Sequence, residues 1–127
     1  MKIEHLAIYT QDLDGLRIFF ESYFGAESNQ LYHNKKTSFK SYFLTFEHGA
    51  RLEIMTRDDV IDKPSQLNHL GLIHLAFSLG SKEAVDNLTA RLQQDGYPIL
   101  SGPRVTGDGY YESCVLGFDD IQIELTL

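Results

Sequence analysis

Tryptophan is absent from this 127-residue chain, cysteine occurs once, methionine twice and proline three times. The single thiol, Cys114, leaves no partner for an internal disulfide and fits a reducing compartment. No apolar run approaches the roughly 20 residues that cross a bilayer. Met1-Lys2-Ile3-Glu4-His5 sets an acid and a histidine where a secretion signal needs an apolar core. Basic residues are scarce: 11 Lys plus Arg stand against 18 Asp plus Glu, a net charge of -7. An acidic chain without a basic cluster is a poor match for nucleic acid. The expectation is a cytoplasmic protein whose partner is a small molecule, with neither nucleic acid nor membrane.

What is present is globular in character. Hydrophobic residues make up 43% and charged residues 23%, which excludes a disordered, collagenous or coiled-coil chain. The length fits one domain, or two small modules sharing a core. Lys2 to Tyr9 alternates as a strand, with Ile3, His5, Ala7 and Tyr9 facing one way and Leu6 and Ile8 the other. Thr10 and Asp12 are candidate caps for a helix carrying Leu13, Leu16, Phe20 and Phe24, and Gly25 stops it. Strands are expected over Glu27 to His33, Phe39 to Phe46 and Arg51 to Thr56. A polar connector follows, and the pattern restarts. Leu72 to Leu79 reads as a strand. Ser81 caps a helix with Leu88, Leu92 and Val85 inward, and Gly96 ends it. Tyr97 to Val105, Tyr110 to Leu116 and Ile121 to Leu127 read as three more strands.

The order is βαβββ, connector, βαβββ, a duplicated α+β unit with mainly antiparallel sheets. Module one covers 1–56, the connector 57–70 and module two 71–127, within one domain. His5 and His74 lie 69 positions apart, while Glu53 and Glu124, like Gly25 and Gly96, lie 71 apart. One His falls in the first strand of each half and one Glu in the last. If each half bends its sheet into a shallow bowl, the four side chains converge. Two imidazoles and two carboxylates suit one divalent ion per site, whether Zn, Ni, Co, Mn or Fe, and without a thiolate nothing favours zinc. A strand His is ordinarily a hydrogen-bonded, partly buried residue. An acid flanked by apolar neighbours is ordinarily a solvated strand face. The matched offsets of all four set them apart.

These fragments resemble the vicinal oxygen chelate superfamily of glyoxalases, bleomycin- and fosfomycin-resistance proteins and dioxygenases. The resemblance covers essentially the whole chain. In half one it rests on Ile3-Glu4-His5-Leu6-Ala7-Ile8, Phe19-Phe20, Phe24-Gly25 and Leu52-Glu53-Ile54. In half two it rests on His74-Leu75-Ala76-Phe77-Ser78, Leu92 to Gly96, Gly102-Pro103-Arg104, Gly107 to Ser113 and Ile123-Glu124-Leu125. It implies a bowl-shaped mixed sheet built from the two modules and metal ligands at His5, Glu53, His74 and Glu124. It also implies a homodimer, with the modules meeting within one chain or across two. Glyoxalase-like members keep four such ligands, so the chain is most similar to that type. Catalysis by Glu53 or Glu124 as the proton acceptor follows from the same resemblance, which does not choose between them. Three positions depart from the pattern. Tyr9 stands where glyoxalases that use glutathione have Arg, Arg57 stands where they have Asn, and Gly117-Phe118-Asp119-Asp120 replaces an Asp-Pro-Asp-Gly turn. The first two changes weigh against glutathione and leave the ligand set intact.

The implied function is a metal-dependent lyase or isomerase acting on an oxygen-chelating substrate such as an α-hydroxycarbonyl or hemithioacetal. The alternatives are a non-catalytic sequestering protein of the bleomycin-resistance type and, third, a dioxygenase. Arg57 and Arg104 are candidates for an anionic group, or else surface charge. Tyr110 and Glu112 are candidate substrate contacts, since only alternate residues around Tyr111 can face the bowl. Gly107-Asp108-Gly109 reads as a hairpin turn and not a phosphate loop. Cys114 reads as a small core residue. Phe39, Tyr42, Phe43 and Phe46 read as core or interface. His33, His48 and His69 do not recur in the repeat, and His69 is expected to be exposed in the connector.

Overall fold

The first strand, β1 (His5–Tyr9), begins three residues later than the apolar alternation suggests and alternates in exposure as expected. Thr10 and Asp12 then act together. The Thr10 hydroxyl accepts from the Asp12 amide at 3.0 Å, and Asp12 Oδ1 accepts from the Gly15 amide at 2.9 Å. This caps α1 (Leu13–Phe24), whose Leu13, Leu16, Phe19 and Phe20 are buried. Gly25 closes the helix in the left-handed conformation at φ 62°, donating its amide to the Phe20 carbonyl. Phe24 is only half-buried, since Phe19 takes the core place beside Phe20.

The computed structural model describes residues 1–62, 67 and 70–127. His69 lies outside the described residues. The chain divides into two compact units, residues 1–63 and 64–127. None of the described helices is long and apolar enough to cross a membrane.

In unit one, β2 (Glu27–Ser28), β3 (Tyr32–Asn34), β4 (Phe39–Thr45) and β5 (Arg51–Thr56) follow α1. The continuous strand expected over Glu27 to His33 is two short strands. Asn29 breaks it by taking the Phe43 amide onto its side-chain oxygen at 2.8 Å. The sheet order is β1-β5-β4-β2, with β3 also on β4. The β1–β5 pair is parallel and the rest antiparallel. α1 packs on β4 and β5, against buried Leu44, Leu52 and Ile54.

Unit two repeats this topology. Its elements are β6 (His74–Ser78), α2 (Lys82–Gln94), β7 (Ile99–Val105), β8 (Tyr111–Leu116) and β9 (Gln122–Thr126), with a one-turn 3-10 helix at Phe118–Asp120. The order is β6-β9-β8-β7, with β6–β9 parallel. Ser81 caps α2, its hydroxyl accepting from the Ala84 amide at 3.1 Å. Val85 and Leu92 are buried as expected. Between them it is Thr89, not Leu88, that goes inside. The Thr89 hydroxyl bonds the Val85 carbonyl and lies 2.6 Å from the equally buried Ser113 hydroxyl, so its polarity is satisfied. The chain is thus α+β, with one mixed, mainly antiparallel sheet and one α-helix per unit.

Candidate functional site

The parallel pairing of first and last strands positions a His and a Glu in each unit. In unit one the register sets Ala7 against Glu53 and His5 against Arg51. Paired residues of a parallel ladder project on the same side, so His5, Ala7, Arg51 and Glu53 share one face. Leu6, Leu52 and Ile54 point the other way, toward α1. His5 Nε2 stands 3.9 Å from Glu53 Oε2, with the carboxylate side chain only 17% exposed. In unit two Ala76 pairs with Glu124 and His74 with Gln122. There His74 Nε2 stands 3.6 Å from Glu124 Oε2. Both halves carry the same tripeptide, His-Leu-Ala, at residues 5–7 and 74–76. On the first-strand side, the alanine leaves only a methyl group beside each carboxylate.

Neither separation is a good hydrogen bond. Two donors bound to one ion at about 2.1 Å stand roughly 3.0–3.5 Å apart. Each pair is therefore open by a few tenths of an ångström relative to a shared ion, and imidazole with carboxylate is a donor set that divalent transition metals accept. Among the described residues, no three His, Cys, Asp or Glu side chains are grouped so as to hold an ion. Each unit brings together one His and one Glu, two of the four residues expected as ligands.

The surroundings of the two pairs differ. Around His5 lie Glu4, Arg51 and Phe43. Glu4 Oε2 bonds His5 Nδ1, and Arg51 Nε donates to Glu4 Oε1 at 2.9 Å. The His5 and Arg51 bonds together hold the Glu4 carboxyl below its usual range. Phe43, read from the sequence as core or interface, is half-buried, pairs with Glu53 and shares its sheet face, its ring edge-on to His5 at 5.4 Å. Arg57 donates to both oxygens of Asp59, at 2.9 and 3.0 Å. The Asp59 charge, then a hydrogen bond between Arg57 and Tyr9, raise the Arg57 guanidinium above its usual range. The two residues that depart from the glutathione-using pattern, Tyr9 and Arg57, are therefore joined to each other.

In unit two, a cleft of about 400 Å³ is lined by Thr106, Asp108, Tyr110, Glu112, Glu124 and Thr126 among others. Tyr110 and Glu112 thus share a cleft with Glu124. Tyr111, between them, turns to α2 and donates to Asp86 at 2.6 Å. Arg104 pairs with Glu112 across β7 and β8. Burial, then the Glu124 charge, raises the Glu112 carboxyl above its usual range, while Arg104 opposes the rise. Cys114 pairs with Glu124 across β8 and β9 and is half-buried, and burial pushes its thiol up. It lies beside the carboxylate, not in the core where small size alone placed it. Residue types alone did not point to Glu4, Arg51, Asp108 or Thr126. Glu4 was signalled only by its adjacency to His5, and Arg51 only by the strand register.

The chain belongs to the Glyoxalase/Bleomycin resistance protein/Dioxygenase superfamily, whose family model matches residues 2–125. It is 28% identical over 126 residues to an uncharacterized protein, YqjT, of Bacillus subtilis (strain 168), covering 97% of this chain and 96% of that one. Among solved structures it is similar to a glyoxalase family protein from Enterococcus faecalis, with TM-score 0.80, 24% identity, and coverage of 99% and 97% of the two chains. It is also similar in fold to the fosfomycin resistance protein FosX from Listeria monocytogenes, solved with Mn(II) and sulfate. That match has TM-score 0.70 and 22% identity, covering 98% of this chain and 89% of FosX.

Proposed function

We propose that the chain is a divalent-metal-dependent enzyme of glyoxalase type, a lyase or isomerase acting on a small oxygen-chelating substrate such as an α-hydroxycarbonyl or hemithioacetal. The observation that carries this is the duplicated pair. His5 faces Glu53 and His74 faces Glu124 in identical parallel registers, each with Nε2 turned to a carboxylate oxygen. His5, Glu53, His74 and Glu124 would together hold one ion, within one chain or across a homodimer. Membership of a superfamily with the Mn(II)-bound FosX among its structural relatives supports a metal without choosing it.

A divalent ion bound there supplies Lewis acidity toward a chelated oxygen pair and so acidifies a neighbouring C–H. The chain's residues do the rest. Glu53 or Glu124 accepts the proton at a carboxylate oxygen. Tyr110 and Glu112 contact the substrate from the unit-two cleft. Arg57 and Arg104 orient an anionic group. Asp59 already engages Arg57, so an anion there competes with a carboxylate.

The test is metal stoichiometry by elemental analysis after dialysis against Ni²⁺, Zn²⁺, Mn²⁺ and Fe²⁺ in turn, with His5→Ala and His74→Ala alongside. About one tight ion per site, lost in both variants, supports the centre and directs substrate screening. No retained metal overturns the enzyme and leaves a sequestering protein, for which the three carboxylates in the unit-two cleft would favour a cationic ligand.

A further inference from the structure

We propose that Glu4 is a positioning residue for His5: it takes the Nδ1–H proton into a hydrogen bond, fixes the imidazole in one tautomer, and turns the bare Nε2 toward Glu53. As a role in metal binding this rests on His5 being a ligand, as proposed above.

The geometry lies wholly within unit one. A neutral imidazole carries its proton on one nitrogen and offers the other as an acceptor. Glu4 Oε2 is at Nδ1, and His5 Nε2 faces Glu53. Glu4 is itself held. Its second oxygen accepts from Arg51 through both Nε and Nη2, so both oxygens are engaged. Arg51 is placed by the ladder, directly opposite His5 in the β1–β5 register. Its guanidinium lies over the Phe43 ring at 4.3 Å, and the same ring meets His5 edge-on at an interplanar angle of 82°. Carboxylate and phenyl ring thus contact the imidazole directly, and the guanidinium holds both of them.

With Nδ1–H given to Glu4, Nε2 and the Glu53 carboxylate are two acceptors facing each other with no hydrogen to share. Such a pair is stabilised by a cation between them. Carboxylates that orient ligand imidazoles in this way strengthen metal binding, and losing one typically weakens it about 10–100-fold. The adjacent carboxylate is found in one half only. The residue before His74 is Ile73, which has no carboxylate to offer. His5 is therefore set in advance, and among the described residues no carboxylate is hydrogen-bonded to His74 Nδ1.

The experiment is long-range proton–nitrogen correlation spectroscopy of the metal-free full chain at about pH 8.5, where free imidazole is neutral. The His5 signals are assigned with His5→Gln. The wild type is expected to show His5 protonated at Nδ1. Glu4→Met, which keeps the length and loses the acceptor, is expected to lose that preference. Glu4→Gln, whose amide oxygen still accepts, is expected to keep part of it. Mn²⁺ affinity is expected to fall about 10–100-fold in Glu4→Met and less in Glu4→Gln. An Nε2–H tautomer in the wild type overturns the proposal, as does a Glu4→Met protein with unchanged tautomer and Mn²⁺ affinity. If the wild type binds none of Ni²⁺, Zn²⁺, Mn²⁺ and Fe²⁺ but shows the Nδ1–H tautomer and loses it in Glu4→Met, the metal reading fails and the positioning of His5 by Glu4 stands.

Discussion

Ala7 stands directly opposite Glu53 across the parallel pairing of β1 and β5, so only a methyl group flanks the carboxylate on that side. A larger side chain there crowds the space an ion or substrate would enter. Ala7→Leu is therefore expected to lower retained Mn²⁺ sharply. Ala7 is exposed, so stability should change by no more than about 0.5 kcal/mol. Elemental analysis beside a thermal melt separates the two effects, and full metal retention would show that the Glu53 face is not the binding face.

Glu112 links the unit-two cleft to pH. Burial and the Glu124 charge raise its carboxyl above the ordinary 4.5, so the fold favours the protonated form. That contribution is fully present below the ordinary value and is lost as pH rises through the raised one. Glu112→Gln imitates the protonated carboxyl at every pH. Its melting temperature relative to wild type is expected to climb between about pH 4 and pH 8. A difference that stays flat across that range contradicts the raised carboxyl.

Gly102 brings β7 against the backbone of Glu112. It has φ +80°, and a Cβ built there would lie 2.4 Å from the Glu112 carbonyl oxygen and 2.8 Å from Ser113 Cα. Both obstacles are backbone and cannot swing away. Gly102→Ala therefore combines left-handed strain, about 1–3 kcal/mol, with a displaced strand edge beside the cleft. Denaturant unfolding should show a loss at the top of that range or beyond. A near-neutral result would place β7 differently.

The Thr89–Ser113 contact joins α2 to β8 with two buried hydroxyls. Thr89→Val leaves Ser113 without this partner and is expected to cost about 1–3 kcal/mol. Adding Ser113→Ala removes the orphaned group, so the double variant should be more stable than Thr89→Val alone. A double-mutant cycle by chemical denaturation reads the coupling, and strict additivity would mean that the hydroxyls do not depend on each other.

Much of this was legible residue by residue. The helix caps Asp12 and Ser81, the stop at Gly25 and the inward stripe of α1 are local effects of side-chain chemistry and period. The strand alternation around His5 and Glu53 is likewise local, because adjacent strand residues point to opposite faces. Other features were not legible. Asn29 splits an edge strand through a bond to Phe43, 14 positions away. Thr89 is buried where Leu88 is only half-buried, and its hydroxyl is satisfied by Val85 and Ser113. Phe43 reads as core or interface from hydropathy, and only the register shows that it stands beside Glu53.

The sequence by itself determined the duplication, the order of elements, the residue types of the candidate ligands and their one-per-half spacing, since periodicity and caps act over a few residues. Tertiary structure decided which residues stand beside them. Arg51 reaches Glu4 and stands opposite His5, 47 and 46 positions away, and Glu124 reaches the Glu112 cleft, only because strand pairing sets the lateral register. That register comes from a ladder of backbone hydrogen bonds and from the burial of one sheet face, which no short stretch of sequence contains.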